Sequence, residues 1–272
     1  MKICRHIALE ASKFLEEEFF EKIEYSKTLG YNIAGDETKI FDKETENYII
    51  ELVKYSDLRN SRIVSEELGE IELTNTPKYI VLIDPVDGSS NFSAGIPYVA
   101  VSIAIAPAIR NGTLSDVISG AIAWVSRNKV YSFAKDEGAY IDNSKVMSEK
   151  IPLYSNIIAT YINSIDVFKI MIIIKQRIKN ATLRCFGSAS LDIVMTALGK
   201  YRAFLDLKPK LRNVDVAAAL GFARELNCCI VGINKPDLMS TIGIWNIERI
   251  SPLMLSQDRD LLNKILKILS NK

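Results

Sequence analysis

Apolar residues in the first 25 positions recur at helical spacing. Ile3, Ile7, Phe14, Leu15, Phe19 and Ile23 stand among glutamates and predict an amphipathic helix over 3–25. Gly30 and Gly35 bracket a predicted loop holding Asp36, Thr38 and Lys39. Asp42 then reads as the cap of a second helix over 43–58, with Ile49, Ile50, Leu52 and Val53 turned inward. From residue 61 the pattern becomes β-rich. Strands are predicted at 61–65, 80–83, 98–106 and 117–125, followed by a hairpin of 129–133 with 138–142 around Asp136-Glu137-Gly138. The second half alternates. Strands at 156–161, 182–186, 201–207 and 228–233 are interleaved with helices at 165–178, 188–198 and 213–226, and a helix over 261–269 closes the chain. The polar stretch 143–155 marks a boundary between an α+β half, 1–145, and an α/β half, 146–272.

One strand carries more than packing. Ile80-Val81-Leu82-Ile83 is an apolar run suited to burial on both faces. The pattern predicts that it stops at Asp84, because Pro85 cannot donate to a ladder. Asp84 and Asp87 thus sit three residues apart where a strand gives out. Gly88 permits a sharp turn, and Ser89 or Ser90 is placed to cap a short helix whose free N–H groups suit a phosphate. Carboxylates beside an anion cradle would repel the anion unless divalent cations lie between them, so the stretch points to a metal-dependent phosphate site. Taken as five residues, Asp-Pro-Val-Asp-Gly reads more readily as a plain turn.

Composition removes several alternatives. With 34 Lys plus Arg against 33 Asp plus Glu, the chain gives no sign of nucleic acid or an anionic membrane as a partner. No apolar run is long enough for a membrane span, and glutamates occupy the N-terminal region, so a cytoplasmic protein is expected. Four cysteines, Cys4, Cys185, Cys228 and Cys229, lack metal-ligand spacing, and the adjacent pair reads as core packing. His6 is the single histidine and sits in the first predicted helix, where a surface or core role is expected. Histidine-based nucleophilic catalysis and zinc chemistry are both disfavoured, which leaves carboxylates to carry any reaction.

The longer string Asp84-Pro85-Val86-Asp87-Gly88-Ser89-Ser90-Asn91-Phe92 after an apolar strand resembles the signature of the inositol monophosphatase superfamily. Glu66-Glu67 alone would read as a solvated acidic turn, and Asp215 alone as a structural acid in the first turn of a helix capped by Asn213. The resemblance makes Glu66 a metal ligand that helps activate water, Glu67 a supporting residue, and Asp215 a further ligand, although Val214 stands where many members carry Trp. It also likens Gly187-Ser188-Ala189 to a sugar-pocket segment, and Asp42 to an aspartate that supports the signature hydroxyl, here Ser89.

The resemblance implies a layered α-β-α-β-α sandwich and hydrolysis of a small polyol or sugar phosphate such as inositol 1-phosphate or fructose 1,6-bisphosphate. Two or three Mg²⁺ ions, with Mn²⁺ as a substitute, would be held by Glu66, Asp84, the Val86 carbonyl, Asp87 and Asp215, an all-oxygen set. Glu66, Ser89 and Asp42 would serve the attacking water. Gly88, Ser89, Ser90, Gly187, Ser188, Ala189 and Asp87 would contact substrate. Lys208, Lys210 and Arg212 occupy the approach to Asp215, where inositol-preferring relatives place an acid, so Lys208 and Arg212 are expected to meet a second phosphate, with a solvated loop as the alternative. Lithium sensitivity and a homodimer are expected on the same ground. The rival readings are a 3′(2′),5′-bisphosphate nucleotidase and a non-catalytic regulator on the same fold, the latter opposed by four intact carboxylates.

Overall fold

The computed structural model describes every residue except 21, 32–36, 234–236, 251 and 271–272, so Gly35 and Asp36 of the predicted loop lie outside the described residues. α1 (Lys2–Phe19) is shorter than its pattern predicts. Phe20 leaves the helix in an extended conformation, and its ring lies 5.7 Å from that of Phe92. Phe20 thus packs on the signature segment at the point where periodicity would continue the helix. His6 is exposed on α1. β1 (Thr28–Tyr31) and β2 (Glu37–Lys39) pair antiparallel where a loop was expected. α2 (Ile40–Lys54) begins before Asp42, which occupies its first turn instead of the cap and accepts the Lys39 N–H at 3.0 Å.

The chain then builds an eight-stranded sheet from β3 (Ser61–Ser65), β4 (Gly69–Glu72), β5 (Tyr79–Asp87), β6 (Ala100–Pro107), β7 (Ser119–Trp124), β8 (Lys129–Ala134), β9 (Gly138–Ile141) and β10 (Ser144–Lys145). A short α3 (Ser89–Ser93) separates β5 from β6. The order is β10-β9-β8-β7-β6-β5-β3-β4, antiparallel except for the parallel pair β3 with β5. β4 falls where the acidic turn was read, because Gly69 at φ +74° reverses the chain onto β3.

Five further strands form a second sheet. They are β11 (Ile157–Thr160), β12 (Thr182–Arg184), β13 (Ala203–Asp206), β14 (Cys229–Gly232) and β15 (Leu253–Ser256), in the order β12-β11-β13-β15-β14. β15, absent from the sequence reading, pairs antiparallel with β13 and β14. The helices of this half are α4 (Ile165–Arg177), α5 (Ala189–Ala197), α6 (Asn213–Glu225) and α7 (Arg259–Ser270).

These elements stack as helix, sheet, helix, sheet, helix. α1 and α2 cover one face of the large sheet, with Ile7, Leu15, Ile49, Val81 and Ile103 in their shared core. α5 and α6 lie between the sheets, in a core running from Leu82 and Phe133 through Ala218 and Phe222 to Phe204 and Leu255. α4 and α7 cover the outer face of the small sheet around Met171, Ile174, Leu262 and Ile265. α6 comes close to the large sheet because its contact residues are small: Phe133 lies where a Cβ on Gly221 would be, 2.0 Å from its Cζ. All four cysteines are free, with Cys228 and Cys229 half-buried. No helix among the described residues is long and apolar enough to cross a membrane.

Candidate active site

Pro85 does not end β5. Pairing to β6 resumes at Asp87, with Asp84 opposite Ser102 and Asp87 opposite Ala100. Three steps along β5 are matched by two along β6, so one extra residue is accommodated as a bulge. In a regular strand, residues three apart point to opposite faces. The bulge cancels that parity, and Asp84 and Asp87 both line one cavity of about 410 Å³. Gly88 follows at φ +105° as the cap of α3, in place of the predicted Ser89 or Ser90. A Cβ there would meet Tyr98 O at 3.0 Å and Gly187 O at 3.2 Å. Gly88→Ala is expected to cost about 1–3 kcal/mol through this strained conformation, measured as a lowered urea midpoint at unchanged slope.

Asp84, Glu66 and Asp215 come together from three elements. Glu66 lies just past β3, whose parallel pairing continues as the Glu66 N–H donates to Ile83 O at 3.2 Å. Asp215 sits in the first turn of α6 and accepts the Arg212 N–H at 2.8 Å. One carboxylate oxygen from each of the three lies within 4.8 Å of the others. Burial, and then the charges of Glu66, Asp87 and Asp215, push Asp84 well above the usual carboxylate range. Burial also raises Asp215, to about 7, against the lowering effect of the Arg212 guanidinium. Asp215 Oδ1 is buried without a hydrogen-bond donor, although Arg212 Nε lies 3.4 Å away. Three mutually repelling carboxylates, one of them with an oxygen that lacks a donor, would suit a hard divalent cation such as Mg²⁺ better than zinc or copper.

Asp87 is held differently. Its Oδ1 accepts the Ala189 N–H at 2.9 Å, and its Oδ2 accepts the Ser188 hydroxyl at 2.5 Å, the Ser190 N–H at 2.7 Å and the Ser190 hydroxyl. The carboxylate therefore caps α5 from another layer, where the helix dipole favours a negative charge. Ser188, expected in the substrate pocket, is fully buried and serves as this buttress and as the α5 cap, whereas Gly187 and Ala189 line the cavity. Asn91 ties the same loops, its Nδ2 donating to Tyr98 O at 2.9 Å and Phe186 O at 2.7 Å.

Ser89 Oγ lies 2.8 Å from Asp42 Oδ1 and 3.0 Å from Val86 O. Its single proton is committed to these acceptors, which leaves the oxygen's lone pairs for other partners. Val86, Gly88, Ser89 and Ser90 all line the cavity.

Two expectations of sequence need correction. Arg212 does not reach out toward a distal phosphate. Its side chain, 6% exposed, donates to Glu66 Oε1 and lies against Asp215, because buried carboxylates attract the nearest guanidinium. Lys208 and Lys210 are exposed and do not line the cavity, which Leu211 of the same loop does. Conversely, Lys39, Glu37, Glu67 and Tyr161 line it without having been assigned there. Lys39 precedes α2, with Nζ 2.7 Å from Ser93 Oγ. Its sole signal in sequence was its place shortly before Asp42, within a stretch read as loop.

A model of the family described as "Inositol monophosphatase family" matches residues 2–262. The chain belongs to the inositol monophosphatase family. It is 33% identical over 240 residues to an inositol-1-monophosphatase of Aeropyrum pernix, covering 87% of this chain and 86% of that one. It is 31% identical over 270 residues to a fructose-1,6-bisphosphatase/inositol-1-monophosphatase of Methanocaldococcus jannaschii, covering 98% of each. A solved inositol monophosphatase-fructose 1,6-bisphosphatase superposes with a TM-score of 0.81 at 28% identity, again covering 98% of each chain. As a family member, the protein is a phosphatase of phosphate esters.

Proposed function

We propose that the protein hydrolyses the phosphomonoester of a small polyol or sugar phosphate, inositol 1-phosphate or fructose 1,6-bisphosphate, with Mg²⁺ as cofactor and water as nucleophile. The observation that carries this reading is the convergence of Glu66, Asp84 and Asp215 oxygens within 4.8 Å on the wall of the cavity that α3 opens into. Glu66, Asp84, Asp87, Asp215 and the Val86 carbonyl are the groups that would hold two or three ions. Bound magnesium would supply Lewis-acid charge that lowers the proton affinity of water and screens the carboxylates from an incoming phosphate.

The chain's own residues do the rest. The first N–H groups of a helix have no intrahelical partner, so Gly88, Ser89 and Ser90 at the start of α3 are placed to hold phosphoryl oxygens. Lys39 adds the one ammonium or guanidinium group among the described lining residues, enough to pair with a single phosphate. Glu66 accepts a proton from the attacking water. Ser89, its proton drawn to Asp42 or Val86 O, orients that water. Burial and the neighbouring Glu67 charge raise the Asp42 carboxyl well above its ordinary range, and its part is to hold the Ser89 hydroxyl in place.

Both named substrates fit this account, since the relatives' names carry both and the basic residues once assigned to a second phosphate lie elsewhere. The test is a rate panel of inositol 1-phosphate, fructose 1,6-bisphosphate and 3′-phosphoadenosine 5′-phosphate, with and without chelator. Activity on the first or second should vanish with chelator and return with magnesium but not zinc. Full turnover in excess chelator would remove the reading, and preference for the nucleotide would replace its substrate. A cytoplasmic homodimer inhibited by lithium completes the proposal, and sedimentation velocity checks the dimer.

A further inference from the structure

The site carries a cation of its own. Arg212 is the last residue before α6, and its main chain is fixed twice: its N–H donates to Asp215 Oδ2 at 2.8 Å, and it bridges antiparallel to Arg249. Its side chain is sequestered and spans two carboxylates that lie far apart in the chain. One is Glu66, at the end of a strand in the large sheet, and the other is Asp215, on the helix between the sheets. Without a counter-charge, these two acids and Asp84 would push their layers apart. A guanidinium answers that geometry, since its planar fork reaches two acceptors at once and it never loses its charge.

We propose that Arg212 is a positioning residue and the built-in counter-ion of this site. It holds Glu66 against Asp215 in the metal-free protein and weakens the grip of the cage on Mg²⁺ by neutralising part of the charge the ion would bind. The inference rests on the magnesium reading above and adds to it. Arg212 neither touches substrate in this role nor takes part in proton transfer. Its effect is to keep the ligands assembled between ions and to keep the ions exchangeable.

Removing the charge should have two opposite consequences. In Arg212→Gln, the metal-free protein should melt at a lower temperature, because the carboxylates repel without compensation. The same variant should bind Mg²⁺ more tightly, by at least about tenfold, since an opposite charge within about 4–6 Å shifts a carboxylate's proton affinity by about 1–3 pKa units, each unit a factor of ten. Arg212→Lys keeps the charge without the fork and should bind Mg²⁺ with near wild-type affinity.

The experiment is a calorimetric titration of each full-length variant with magnesium chloride at neutral pH, together with melting curves in chelator. A lowered melting temperature with tighter Mg²⁺ binding in Arg212→Gln supports the counter-ion role. Unchanged or weaker binding overturns it. If Arg212→Gln does not fold in chelator, the double variant Glu66→Gln/Arg212→Gln decides. With both partners neutral it should melt near the wild type, as buried pairs replaced together often do. A double variant as unstable as the single one overturns the proposal. No saturable heat from the wild type would sink the magnesium reading itself, a result distinct from any difference among the variants.

Discussion

Asp84→Asn is expected to lower turnover at saturating magnesium by at least about a hundredfold, the scale for removing one strong electrostatic stabiliser from a dry site. Asp84 faces Glu66 and Asp215 in the tightest carboxylate cluster among the described residues, so it is the acid whose loss the proposed cage can least absorb. The same change should not harm the fold. In the folded protein the Asp84 carboxyl lies well above its unfolded value, chiefly through burial and then through the neighbouring acids. A raised acid pKa means that the folded state holds a proton the unfolded state has released. Stability therefore falls as pH rises from the unfolded value, about 3.9, toward the folded one. An amide cannot ionise and escapes that loss. In chelator, Asp84→Asn should thus melt at or above the wild-type temperature near neutrality, and the difference should shrink as the pH is lowered toward 4. Near-normal turnover would show that Asp84 is no ligand. A variant clearly less stable than wild type in chelator would contradict the repulsion argument.

Asp87→Asn, three residues on, should behave in the opposite way. Its carboxylate accepts from Ser188, Ala189 and Ser190 on both oxygens. An amide has one acceptor oxygen, and its NH₂ must face a donor, either the Ala189 N–H or the Ser190 group. A buried donor left without a partner costs about 1–3 kcal/mol. For a chain of this size that corresponds to a fall in Tm of roughly 2–5 °C. The loss should be seen in chelator as well as in magnesium, because it comes from the tie between β5 and α5 and not from metal. Turnover should fall too, through displacement of the signature turn and loss of ligand charge. A variant with wild-type Tm and reduced activity would mean that Asp87 contributes chemistry without holding α5. The two aspartates of one short motif are thus separable by thermal melting alone, one relieving repulsion when neutralised and the other losing hydrogen bonds.

The sequence by itself determined the family and the carboxylates. An apolar strand running into Asp84-Pro85-Val86-Asp87-Gly88, with Glu66 upstream and Asp215 in the first turn of an alanine-rich helix, was legible because burial, backbone freedom and ligand chemistry each restrict those positions to few residue types. Helices and strands with long, strongly periodic patterns were legible for the same reason. Short elements were not. β4 and β15 are four residues each and exist because β3, β13 and β14 offer them partners, an energy that no local pattern contains. The end of α1 coincides with a contact between Phe20 and Phe92, far apart in the chain and invisible to local periodicity. The site shows the same division. That Asp84 and Asp87 share a cavity depends on a bulge against β6, since a regular strand would have turned them to opposite faces. Whether Arg212 points to solvent or to Glu66 depends on where another layer places that glutamate. Residue chemistry names the groups able to act, and only the tertiary arrangement of charges and donors decides which of them face one another.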